Sequence, residues 1–202
     1  MSSVTQGRRK RPTSPKPTKG DQSVSELSAP LGLRNSPMPL LRWEELPQWQ
    51  RDNEHILTSY RAPSNSWRGS VASIFALHNE TVNIYSHLFG ALLFCLLPLY
   101  TLREVYPRQA DADLWDVMVF AVFFYGVAIC FFLSASFHVL ASHSPEVAGF
   151  ELKLDYLGVV LLMWGATIPT VYYGFYGEPT LQLFYCSLVI AQSMTLTLGD
   201  LY

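Results

Sequence analysis

Polar residues at helical spacings in this chain could build a buried site for metal binding or hydrolysis. They are Glu80, Asn83, His87, Ser134, His138 and Asp155. Neutral imidazole is a good zinc ligand, a carboxylate can accept a proton from an activated water, and a hydroxyl can orient either group. The same residues could instead satisfy one another by hydrogen bonds and lock helices together, so a purely structural cluster is the alternative.

Two helical faces carry these residues. Ser134 and His138 are four residues apart in an uncharged stretch from Val117 to Ala141, which places them on one face. At about 100° per residue, Glu80 and His87 lie about 20° apart around a helix, with Asn83 about 60° to one side. An ionisable side chain in such an apolar stretch is costly in lipid unless it points inward.

The elements that must position these residues are apolar stretches long enough to cross a bilayer. A helix needs about 20 apolar residues to span the hydrocarbon core. Four windows qualify: Ile84–Leu102, Val117–Ala141, Tyr156–Tyr176 and Pro179–Leu198. They lack the polar stripes that a soluble helical domain shows every three or four residues. We therefore predict an all-α, polytopic transmembrane helix bundle, with Ser142–Leu152 as a turn.

The composition divides the chain into three regions. Residues 1–50 are rich in Ser, Pro and basic residues, which predicts a disordered tail. Residues 51–80 form a juxtamembrane segment, and 81–202 form the bundle. Within the juxtamembrane segment, Trp67–Glu80 mixes apolar and polar residues, which predicts a short amphipathic helix. It either lies at the membrane interface or packs on the bundle as a linker.

The distribution of positive charge predicts the orientation in the membrane. Eleven of the fourteen Lys and Arg residues precede the first span, which predicts a cytosolic amino terminus by the positive-inside rule. The start of the first span, the end of the second and the start of the third then lie at one cytosolic depth. This topology should bring the six polar residues together. We expect an integral membrane protein of the plasma membrane or an endomembrane, with no nucleic-acid partner.

Three motifs resemble those of the adiponectin and progestin receptor family. They are Glu80-x-x-Asn83-x-x-x-His87, Ser134-x-x-x-His138 and Lys153-Leu154-Asp155-Tyr156. That family includes fungal zinc-homeostasis membrane proteins and is related to the hemolysin-III-like proteins. The resemblance covers roughly Trp67 to Tyr185 and implies a fold of seven spans with a cytosolic amino terminus.

The resemblance also implies roles for these residues. His138 would be one of three histidine ligands of zinc, Asp155 would hydrogen-bond the zinc-bound water, and Ser134 would be a further residue of that catalytic site. Glu80, Asn83 and His87 would give structural support. The implied activity is a ceramidase-like lipid hydrolysis within receptor signalling and lipid and metal homeostasis. Implied partners are membrane lipids, a ceramide or sterol-like ligand, and a second copy of the chain.

The chain departs from the family pattern at the zinc site. The other two zinc histidines of the family lie in a His-x-x-x-His motif on the last helix, and these 202 residues contain no such motif. His143, about 140° around the helix from His138, is a poor substitute. We expect the chain to be an incomplete member, with weak zinc binding and no activity of its own. The alternatives are a non-enzymatic membrane scaffold or regulator and a transporter or pore, although no span carries a charged stripe to line a pore.

Overall fold

The computed structural model describes the backbone of residues 39–199 and the side chains up to Ala191. The helices and strands are β1 (Leu40–Leu41), β2 (Tyr60–Arg61), α1 (Trp67–Ala72), α2 (Thr81–Tyr100), α3 (Leu114–Leu140), α4 (Pro145–Gly174) and α5 (Pro179–Gly199). Short 3-10 turns lie at Trp43–Glu45, Gln48–Gln50, Ser73–Phe75 and Tyr106–Arg108, and a π turn follows α2 at Thr101–Val105. Most of the predicted disordered tail lies outside the described residues. Residues 39–50, which that prediction included, form β1 and two of the turns.

Three helical segments are long and apolar enough to cross a membrane. They are Thr81–Arg108, Leu114–Leu140 and Pro145–Gly174. This confirms the predicted all-α transmembrane bundle. The fourth predicted span corresponds to α5, whose apolar part within the described side chains, Pro179–Ala191, is shorter than a full crossing. Helix α3 packs against both α2 and α4.

Helix α4 begins eleven residues earlier than the third predicted span. Ser144 caps it, because the Ser144 hydroxyl accepts a hydrogen bond from the backbone N–H of Val147, and Pro145 occupies the first turn. The prediction of a turn from Ser142 to Leu152 was therefore wrong. It treated Glu151 as a loop residue, whereas Glu151 is buried and accepts a hydrogen bond of 2.8 Å from the Ser136 hydroxyl of α3.

Glycines allow the backbones of α3 and α4 to approach closely. A Cβ atom on Gly158 would lie 3.0 Å from the Cα of Cys130, and one on Gly165 would lie 3.2 Å from the carbonyl oxygen of Val122. Small residues at such crossings are typical of membrane helices, which associate through close packing and not through the hydrophobic effect. This contact fixes α4, and therefore Asp155, against α3.

The segment before α2 turns its polar side inward and its apolar side outward. Ser70 and Ser73 are each 1% exposed, whereas Phe75 is 87% exposed and Leu77 is 83% exposed. Helix α1 ends at Ala72, so the predicted helix over Trp67–Glu80 is shorter than expected. Because the apolar side chains point away from the protein, this arrangement favours the interfacial alternative over the packed linker.

A two-stranded antiparallel pairing anchors the juxtamembrane segment. Leu41 pairs with Tyr60 and Leu40 with Arg61. The rings of Trp43 and Tyr60 lie 6.1 Å apart between centroids. Leu46, three residues after Trp43, is also buried. These contacts hold the two strands and the chain between them together. The pairing holds Arg61, whose side chain reaches the end of α3.

Candidate functional site

The centre of the candidate site is a contact between the first residue before α2 and the last turn of α3. The Nδ1 atom of His138 lies 2.8 Å from Oε2 of Glu80, and both side chains are largely buried. The contact is an ion pair when the imidazole is protonated. Because Glu80 faces Nδ1, Nε2 is the nitrogen of His138 that remains for another partner.

Neighbouring amides keep the Glu80 carboxylate in place. Asn79 Nδ2 donates to Oε1 at 3.0 Å, and Asn83 Nδ2 donates to Oε2 at 2.8 Å. Burial alone would raise the pKa of Glu80. The contacts with His138 and Asn83 and the nearby charge of Arg61 outweigh that effect, so the pKa lies below its ordinary value. Glu80 is therefore an ionised acceptor at neutral pH, suited to orient the imidazole.

The other predicted site residues surround this pair at different distances. The ring of His87 lies 5.2 Å from that of His138 between centroids, and Asp155 lies on α4. Ser134 is buried one helical turn before His138. No hydrogen bond among the described residues joins Ser134 or Asp155 to His138. The structure thus brings Glu80, Asn83 and His138 into contact and leaves the catalytic roles of Ser134 and Asp155 as predictions.

Two buried charged residues of this region were not predicted. Arg61 is 3% exposed and donates hydrogen bonds to the end of α3. Burial lowers its pKa to about 10, an effect that Glu80 partly opposes, so the guanidinium stays protonated at neutral pH. Glu151 is 6% exposed. Its spacing of four residues from Asp155, which places both on one helical face, was the available signal.

A cavity of about 250 Å³ opens beside Glu80. It lies between the juxtamembrane segment and the turn that joins α3 to α4. The side chains of Trp49, Tyr60 and Phe137 contribute aromatic walls, and those of Arg61 and Glu80 contribute charge. The cavity therefore lies at the end of the bundle where Glu80 and His138 meet.

The residues present fit one ligand of a zinc site. A zinc-binding histidine usually has its other ring nitrogen against a carboxylate or carbonyl, which is the relation of Glu80 to His138 Nδ1. Catalytic zinc uses three protein ligands and an open position. Within the part of the chain that the structure describes, no group of three His, Cys, Asp or Glu side chains is placed to hold a metal ion. These residues therefore supply part of such a site.

Comparison with known proteins identifies the family. Residues 75–199 match the family model described as haemolysin-III related, and this range contains all six predicted site residues. The chain belongs to the haemolysin-III-related family. The chain is 38% identical over 152 residues to the ADIPOR-like receptor IZH2 of Saccharomyces cerevisiae. It is 37% identical over 150 residues to the progestin and adipoQ receptor-like protein 1 of Caenorhabditis elegans. It is 36% identical over 147 residues to the adiponectin receptor protein of Drosophila melanogaster.

The resemblance drawn from the three motifs is therefore confirmed at the level of the family. The matches cover 75%, 74% and 73% of this chain and 48%, 34% and 32% of the three relatives, in the same order. The chain thus spans about a third to about a half of the length of these haemolysin-III-related proteins. Its helices and relatives together identify it as an integral membrane protein.

Proposed function

We propose that this protein is a zinc-dependent receptor-type membrane protein that hydrolyses the amide bond of a ceramide-like lipid. The observation that carries the proposal is the contact between Glu80 and Nδ1 of His138 at the end of the bundle. It sets the imidazole in the orientation that zinc-binding histidines commonly adopt, with Nε2 available. The proposed setting is lipid and metal homeostasis.

Each residue of the proposed site would have a separate role. Zinc, when bound, would polarise the amide carbonyl and activate water. His138 would hold it through Nε2, and Glu80 would fix the imidazole. Asp155, whose carboxylate lies on α4, would accept a proton, and the Ser134 hydroxyl would orient the reacting groups. The remaining ligands would come from the His-x-x-x-His motif that the resemblance implies for the last helix of the family.

The proposed orientation places the site at the cytosolic face. The excess of Lys and Arg before the first span supports a cytosolic amino terminus. The exposed apolar faces of the helices would contact lipid, from which the substrate enters. The cavity beside Glu80 would let water reach the site and would let a polar product leave toward the cytosol.

The test is turnover of a fluorescent ceramide by the full-length protein in lipid nanodiscs. We expect His138→Ala to remove measurable turnover and His55→Ala to retain it, because His55 is exposed and distant in sequence from the site. Glu80→Gln should lower turnover by roughly 10- to 100-fold, the usual cost of losing a partner that orients a ligand. Turnover that survives His138→Ala would exclude this chemistry.

A non-enzymatic scaffold or regulator is the second candidate. Two observations favour it. Glu80 and Glu151 each join neighbouring helices through polar contacts, with His138 and Ser136 respectively, and the described residues contain no three-ligand group. In that case Asp155→Asn would be tolerated, and signalling would persist without any turnover of ceramide.

A further inference from the structure

Residues Ser59–Asn65, here called the strap, close the end of α3 beside His138. We propose that the strap is a positioning element for the Glu80–His138 pair and that Arg61 is its positioning residue. The inference rests on the proposed function in one respect, since it takes His138 as the metal ligand. It adds that the strap, which precedes the bundle on the proposed cytosolic side, controls the orientation of the His138 ring.

The carbonyl groups at the end of α3 need hydrogen-bond donors from outside the helix. The last four carbonyls of a helix have no partner within it. Arg61 donates from Nη1 to the carbonyl of Val139 at 2.9 Å and from Nη2 to that of His138 at 2.5 Å. The N–H of His143 donates to the carbonyl of Leu140 at 2.8 Å. Arg61 therefore satisfies two of the four groups, including that of His138 itself. Its positive charge also suits the negative end of the helix dipole.

The strap also holds the turn after α3. The N–H of Ser64 donates to the carbonyl of Ser142 at 2.8 Å, and the N–H of Asn65 donates to that of His143 at 3.0 Å. Asn65 has a φ of 44°, a left-handed conformation that asparagine tolerates better than most residues. The strap thus follows the chain beyond His138 and fixes the direction in which α3 ends.

The strap also contacts the residue just before Glu80. The N–H of Asn79 donates to the carbonyl of Ser59 at 2.9 Å, and the charge of Arg61 acts on Glu80. Arg61 Nη1 also donates to the hydroxyl of Ser73, which is buried. The strap therefore contacts both the residue just before Glu80 and the end of α3 at His138. Its displacement would change the distance between the Glu80 and His138 side chains.

Only arginine meets these demands at position 61. Its planar fork donates in several fixed directions, whereas lysine is a compact point charge on a flexible stem. Losing the fork would leave buried carbonyls of α3 without partners, which favours rotation or fraying of the last turn. Because His138 lies on that turn, we expect zinc affinity to fall by roughly 10- to 100-fold, as it does when residues that orient a ligand are lost.

The experiment uses the full-length protein in nanodiscs with ¹³C,¹⁵N-labelled histidine. The unaltered protein is compared with Arg61→Gln, Arg61→Lys and the control Arg68→Gln, since Arg68 is exposed and lies outside the strap. Arg61→Gln should shift the His138 ring resonance of the metal-free protein and weaken zinc binding. Arg61→Lys, which keeps the charge and the buried stem and so favours folding, should cause a smaller shift. Arg68→Gln should change neither quantity.

Parallel melting curves separate positioning from general stability. If both Arg61 variants melt at lower temperature but keep the His138 resonance and the zinc affinity of the unaltered protein, the inference is overturned. Zinc added to the unaltered protein tests the proposed function independently. If zinc leaves the His138 resonance unmoved while Arg61→Gln shifts it, the strap stands and the metal assignment fails. If zinc moves the resonance and the Arg61 variants do not, the metal assignment stands and the role of the strap fails.

Discussion

Replacing Gly158 by Ala tests how closely α3 and α4 must pack. The added Cβ would lie 3.0 Å from the Cα of Cys130 and 3.4 Å from its carbonyl oxygen. Both are backbone atoms of α3, so they cannot rotate away as a side chain could. Relief of the clash requires the two helices to separate by a few tenths of an ångström, which loosens the contacts along the whole crossing.

The magnitude follows from two opposing effects. Overpacking a close contact costs about 1–3 kcal/mol of the free energy of unfolding. Alanine also has a helix propensity about 1 kcal/mol better than glycine, which reduces the net loss. Gly149 provides a matched control on the same helix, because a Cβ there meets nothing within 4 Å. Gly149→Ala gains the propensity alone, so the difference between the two variants isolates the clash at about 1–3 kcal/mol.

The assay is reversible unfolding of the purified protein in mixed detergent micelles, followed by circular dichroism. We expect Gly149→Ala to be as stable as the unaltered protein or more stable, and Gly158→Ala to be the less stable of the two. Equal stability of the variants would refute the close approach of α3 and α4 at this point. A matching loss at Gly165→Ala, where the Cβ would lie 3.2 Å from the Val122 carbonyl oxygen, would extend the conclusion along the interface.

Three further predictions concern the region around the site. Burial, and to a lesser degree the charge of Arg61, lowers the pKa of His78 from 6.5 to about 4. As pH falls, the unfolded chain therefore binds a proton at His78 before the folded chain does, and the free energy of unfolding should decline from about pH 7 toward pH 4. The decline should be about 1–2 kcal/mol at pH 5 and should shrink in His78→Gln, as measured by unfolding at each pH. A spin label at Phe75→Cys in nanodiscs should be more accessible to oxygen than to a nickel chelate, and a label at Glu54→Cys should show the opposite preference. Greater accessibility to the nickel chelate at residue 75 would contradict the placement of this segment at the membrane interface. Asp155→Asn should reduce ceramide turnover by roughly 10²- to 10⁴-fold, as loss of a proton-accepting group does, and undiminished turnover would favour the scaffold.

The sequence predicted the features that depend on local pattern. The apolar windows identified three spans, and helical spacing grouped Glu80 with Asn83 and placed Ser134 and His138 one turn apart on α3. The early start of α4 was missed because Glu151 and Lys153 resemble loop residues, although Ser144 and Pro145 are a helix-start signal. A structure was needed to show that Glu151 is buried against Ser136.

Arg61 could not be predicted from local pattern at all. Its partners are carbonyls of His138 and Val139, which are 77 and 78 residues away in the chain. Backbone carbonyls occur at every position, so nothing in the residue types marks them as the partners of a particular arginine. The role of the strap therefore became visible only when the end of α3 and the juxtamembrane segment were placed together.

The central claim is that His138 binds zinc with Glu80 orienting its ring, and zinc content tests it most directly. The measurement is the zinc-to-protein ratio of the full-length protein purified in nanodiscs, by mass spectrometry of the metal, for the unaltered chain and His138→Ala. The account predicts about one zinc per chain in the unaltered protein and a near-complete loss in the variant. Equal zinc content in the two proteins, or none in either, would contradict it.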